Sequence, residues 1–190
     1  MKKFPIYILS VLILGFAGCK TKVTINQDEA GEVITDYLKA NPEYKTIRFK
    51  FGELKFNSTS EMFELGKYKS LASKGLVTLS LKEAKKKFLS KDSSFVYQIN
   101  LTDKASPLVL KQDADRATVK AVTYVLADEK PVNFEQVNSS TAKVTVSLKM
   151  VTTDFEPFDK DASKNSNFIT KTHKLKLDKA EGWRVQKKHL

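Results

Sequence analysis

Cysteine occurs once in this 190-residue chain, at Cys19, and histidine twice, at His173 and His189. A lone cysteine supports no disulfide framework and no thiolate zinc site. Beyond Cys19 the chain has no cysteine, and so no cysteine nucleophile there. No G-x-S-x-G elbow, phosphate-binding loop or H-E-x-x-H pair occurs, so the common signatures of hydrolases, nucleotide enzymes and zinc peptidases are missing. Arginine is sparse beside lysine, there are no internal repeats, and no second long apolar run follows the first.

The run from Phe4 to Phe16 carries no charge and follows Met1-Lys2-Lys3. It is shorter than the ~20 apolar residues that a membrane-spanning helix needs. A positive start, a short apolar stretch and the small residues Ala17-Gly18 make up a secretory signal peptide, so residues 1–18 stand apart from the fold. Without Lys2 and Lys3, the formal charge of +11 falls by two. A basic chain is attracted to anions, here anionic lipid headgroups or acidic glycans, although a charge of this size also serves solubility.

The segment Leu14-Gly15-Phe16-Ala17-Gly18-Cys19 resembles the lipobox of bacterial lipoproteins, with Phe16 where that family prefers leucine. Looser lipoboxes of this kind are typical of Bacteroidetes. The resemblance implies cleavage before Cys19, a diacylglycerol thioether on its sulfur and acylation of the new amine. Two or more acyl chains hold a protein stably on a bilayer. Lys20-Thr21-Lys22 contains neither an aspartate retention signal nor an acidic surface-export tract, which points to the periplasmic leaflet of the outer membrane.

Residues 19–27 read as a lipidated tether and 28–190 as one α+β domain, with helices in about 28–111 packed on an antiparallel sheet in about 116–190. Asp28-Glu29 open a helix that Asn41-Pro42 ends. Ile47, Phe49 and Phe51 alternate, then Leu54 and Phe56 alternate in the other phase, which predicts a strand with a bulge at Gly52. Ser60 is placed to cap a second helix that stops at Gly75. Ser80 is placed to cap a third, Leu81–Leu89, with Lys82, Lys85, Lys86 and Lys87 on its solvated surface. Strands are expected near 95–101, 117–127, 132–137, 142–150, 168–177 and 183–186.

The residues Leu71-x-x-x-Gly75-Leu76-Val77, followed by Leu101-Thr102, resemble the helix-to-wing framework of winged-helix domains, with Ala105 where glycine is usual. DNA reading needs arginine, asparagine or glutamine aimed at base edges, and the exported location holds no chromosome, so nucleic acid is not an expected partner.

Four candidate sites follow. Lys82, Lys85, Lys86 and Lys87 form an anion contact or simply a solvated helix face. His173 shares a strand phase with Lys171, Ile169 and Leu175, and can line a pocket or pack in the core. Asp159, Asp161, Ser163 and Asn165 have the spacing of a calcium loop, but glycine is missing from the turn and Thr170 stands where glutamate is required, so no metal is expected. Phe155 and Phe158 either grip a partner or plug the end of the sheet. The ending Gly182-Trp183-Arg184-Val185 resembles the final strands of nuclear transport factor 2-like domains, which bind small molecules under a helix-capped sheet. The leading expectation is a non-catalytic envelope lipoprotein, without cofactor, that binds an envelope protein or an anionic polymer. A small-ligand pocket comes second. An enzyme, third, requires acids beside His173.

Overall fold

The computed structural model describes residues 24–86 and 93–186. In chain order the elements are α1 (Gln27–Ala40), β1 (Glu43–Lys50), β2 (Gly52–Phe56), α2 (Thr59–Ser73), β3 (Val77–Lys86), β4 (Ser93–Leu101), β5 (Val109–Gln112), β6 (Arg116–Leu126), β7 (Asn133–Asn138), β8 (Thr141–Thr152), β9 (Phe168–Asp178) and β10 (Gly182–Val185). The class is mixed, with strand dominating and every strand pair antiparallel.

Two sheets form. The larger runs β1-β6-β8-β9-β10, with β5 on β6 and β7 on β8; the smaller is β2-β4-β3. Gly52 is therefore not a bulge within one strand. Its φ of 92° turns the chain from the first sheet into the second, a conformation that a side chain disfavours. Strands from the two parts of the expected single domain share one sheet, since β1 pairs along β6.

Both helices begin with a reciprocal capping box. Asn26 with Glu29 opens α1, and Ser58 with Glu61 opens α2, so Ser58 rather than Ser60 is the cap. Within the stretch 19–27, Ile25 is buried and Gln27 opens α1. At the end of α2, Leu76 N–H donates to Leu71 O and Gly75 N–H to Ala72 O, the bond pair of a Schellman motif. Thr102 then ties back through its hydroxyl to Gly75 O at 2.7 Å. Helix α2 thus leads directly into the β3–β4 hairpin, but the strand-dominated fold around it is not clearly that of a winged helix.

The third helix is not. Residues 77–86 form β3, paired with β4 along its length, with a register shift between Leu81 and Glu83. The shift resets the strand phase, and the two phases together imitate the helical spacing of Leu81 and Ala84. Strand pairing overrides that local pattern.

The larger sheet is one-sided, and a single irregularity makes it so. On β6, Lys120 faces Thr46 and Val122 faces Lys45, leaving Ala121 as an extra residue. Ala117 and Val119 before it, and Val122 after it, are therefore all buried. Beyond the bulge Val122, Tyr124 and Leu126 continue on the face that Ala117 and Val119 began. The first half of this face joins α2, Phe49, Leu65, Tyr68 and Leu71 in one core. The second half joins α1, through Ala30 and Ile34, to Ala142, Val144, Val146 and Leu148. Both helices thus lie on one face of the sheet. At Gly31 a Cβ would meet Glu129 O at 2.8 Å, so α1 is pressed against the 129–131 segment as well.

Thr153 holds the bulge. Its N–H donates to Ala121 O at 3.0 Å. Its hydroxyl lies 2.6 Å from Lys120 O and 3.1 Å from Ala121 O. Thr153→Val keeps the shape and removes the hydroxyl donor. The expected cost is about 1 kcal/mol in the urea unfolding curve, with an unchanged m-value.

Candidate functional site

Lys171 and His173 do come together beneath α1, on the inward phase of β9, opposite Val146 and Val144. Lys171 Nζ pairs with Glu43 Oε2 at 2.6 Å. The His173 ring meets the Tyr37 ring of α1 edge-on, with centroids 5.6 Å apart. Its Nε2 is buried and has no protein hydrogen-bond partner, and the same is true of Trp183 Nε1. Burial pushes the imidazole pKa down; Glu43 pulls it up and Lys171 lowers it further. The acid near His173 is engaged by Lys171, and His173 serves as a contact between helix and sheet.

A histidine with a lowered folded pKa binds fewer protons than its unfolded counterpart. Stability from His173 is therefore complete above pH ~6.5, where both states are neutral, and is lost as pH falls through the lower folded value. Urea midpoints are expected to drop between pH 7.5 and 5. His173→Leu is expected to flatten that drop.

The 159–165 loop has a cation of its own. Lys45 Nζ reaches Asp159 Oδ2 at 2.6 Å and Asn165 Oδ1 at 2.7 Å. Asn165 Nδ2 donates to Asp159 Oδ2, and Asp161 N–H donates to Asp159 Oδ1. Burial alone would raise the Asp159 pKa, but hydrogen bonds from Lys45, Asn165 and the Asp161 backbone bring it below the ordinary carboxylate range. The Lys45 ammonium neutralises the Asp159 carboxylate within this loop. Among the described residues no group of three or more His, Cys, Asp or Glu is arranged to hold a metal ion. Phe155 and Phe158 pack edge-on against Phe49 at 5.0 and 5.1 Å, so they belong to the core.

Lys82 and Lys85 project from a strand rather than a helix, and Lys85 is paired with Glu83 at 2.6 Å. Lys86 ends that strand, while Lys87 and His189 lie outside the described residues, as does Cys19.

Sequence reasoning missed two surface features. One is a cleft of about 660 Å³ between α2 and the 152–157 segment, lined by Met62, Phe63, Lys67, Lys74, Asp154 and Pro157. Phe63 is 74% exposed there, with Lys67 Nζ 5.4 Å from its ring centre, and Lys74 pairs with Asp154 at 2.6 Å. The other is the uncovered face of the larger sheet. Phe168, Thr170, Thr172, Lys174 and Lys176 of β9 all point outward and are exposed, as are Lys143 and Lys149 of β8. Their alternation was legible in the sequence, but which of the two faces the helices cover depends on the β6 bulge.

Compared with protein-family models, with curated proteins and with solved structures, the chain matches none of them.

Proposed function

We propose that this chain is a lipid-tethered envelope protein whose domain works as a non-catalytic binding module, held at the periplasmic leaflet of the outer membrane through Cys19. The observation that carries the binding part is the one-sided sheet. Both helices are spent on one face, and the other presents a broad, polar, cationic surface to solvent. The two features of greatest chemical interest in the sequence are engaged within the fold. His173 contributes to the α1 contact, and Asp159 is neutralised by Lys45. The tether rests on the uncharged run from Phe4 to Phe16 and the Ala17-Gly18-Cys19 junction. Among the described residues no helix is long and apolar enough to cross a membrane.

A second reading is a small-ligand pocket of the nuclear transport factor 2-like kind. The buried, unpartnered Nε2 of His173 and Nε1 of Trp183 favour it. A ligand there would change the fluorescence of Trp183, the chain's one tryptophan.

Metabolic labelling with palmitate tests the tether. Label is expected on the wild type, in the outer-membrane fraction, and not on Cys19→Ala. An unlabelled wild-type protein found in the cytoplasm would overturn the reading.

A further inference from the structure

We propose that the uncovered face of the larger sheet binds an acidic polysaccharide along β8 and β9. This rests on the binding-module reading and names the partner and its surface.

The charge pattern is the first argument. Lys143 on β8 stands directly opposite Lys174 on β9, and Lys176 follows two residues further along the same face. Like charges facing each other across strands destabilise a sheet. Acids within the chain offset them only in part: Lys176 lies close enough to Asp178 to help lower its pKa. Lys143 reaches Glu135 at 3.4 Å, and the nearby Asp178 is held by Arg184 at 2.9 Å. No ion pair to Lys149, Lys174 or Lys176 occurs among the described residues. The fold thus keeps a local repulsion that an external anion relieves.

The second argument is the chemistry between the lysines. Thr145 and Thr172 face each other with hydroxyls 2.8 Å apart, and Ser147 faces Thr170. These rows can donate to and accept from sugar hydroxyls. At the far end, Phe168 is 55% exposed beside Lys149, a flat apolar surface for the C–H face of a sugar ring. From Lys149 to Lys143 the strip runs about 20 Å, at ~3.4 Å per residue. That length suits a polymer better than a single small anion. Lysines act here as separated point charges, which fits spaced carboxylates or sulfates, whereas bidentate phosphate recognition favours arginine.

Charge is also segregated across the molecule. On the opposite side, the hollow along the solvent side of α1 is acidic, with Asp28, Glu32, Asp36 and Glu129 against Lys39 and Lys130. A polyanion is therefore steered to the bare sheet face and away from α1.

The test uses the full chain purified in detergent, with polygalacturonate as probe, neutral dextran as control, and calorimetric titration at two salt concentrations. Polygalacturonate is expected to bind and dextran not to bind, with affinity falling as salt rises. Lys174→Glu is the informative variant, because it converts a repelling cross-strand pair into an attracting one. Its urea midpoint is expected to rise while its affinity falls roughly tenfold. Lys82→Glu with Lys85→Glu is expected to leave affinity within about twofold. Equal losses in both variants, or unchanged affinity in Lys174→Glu, would overturn the proposal. So would binding to vesicles containing anionic lipid, or to duplex DNA, without binding to polygalacturonate. Detergent-purified protein gives this result whether or not Cys19 carries lipid, so failure here and failure of the tether are separately visible.

Discussion

The extra residue in β6 is the constraint on which the architecture depends. Strand side chains alternate faces, so an unbroken β6 that buried Ala117 and Val119 on the helix side would carry Val122 and Leu126 to solvent. With Ala121 inserted, both halves of the strand bury their apolar side chains on the same face. The Phe49 core under α2 and the Val144 core under α1 become neighbours along one sheet. Thr153 satisfies the carbonyl groups that the irregularity takes out of the ladder. The bare outer face is the direct consequence, and it is where the proposed function lies.

Polar contacts between distant segments reinforce that arrangement. Lys45 stands directly beside the bulge and reaches across to Asp159, joining β1 to the 159–165 loop. Lys171 and Glu43 join β9 to the start of β1 under α1. Each pair joins segments distant in the chain, and of the four side chains only that of Asp159 is buried. Tyr68 acts similarly: its hydroxyl donates to Lys50 O at 3.0 Å, and burial, with Glu64 adding to it, pushes its pKa up.

Much of this was legible in the sequence. The span of α1 follows from its acidic first turn and Asn41-Pro42, and the end of α2 follows from Gly75. The alternation of Ala142 to Met150 marks β8, in which Ala142, Val144, Val146 and Leu148 are buried and Met150 is half-buried. The strand expected at 117–127 is β6, between β1 and β8, and its apolar residues at both phases reflect a bulge that changes the phase of a strand covered on one face. The errors have physical causes. Gly52 marks a corner between two sheets, and a phase slip cannot distinguish a corner from a bulge. Residues 81–89 carry a helical period, but β4 supplies a pairing partner that no local window contains. Lys171 and His173 share the phase of Leu175 on β9, yet their contacts, Glu43 and Tyr37, come from segments more than 120 residues away in the chain. The outward lysines of β8 and β9 were invisible as a cluster because Lys143 and Lys174 meet only through register.

Lysine footprinting tests the central claim most directly, comparing the protein in isolated outer membranes with the same protein purified in detergent. The account expects Lys143, Lys174 and Lys176 to react more slowly with an acylating reagent in the membranes, and Lys82 and Lys85 to react alike in both. Equal reactivity of the β8–β9 lysines in the two preparations would contradict it, because the bare face would then meet nothing in the envelope.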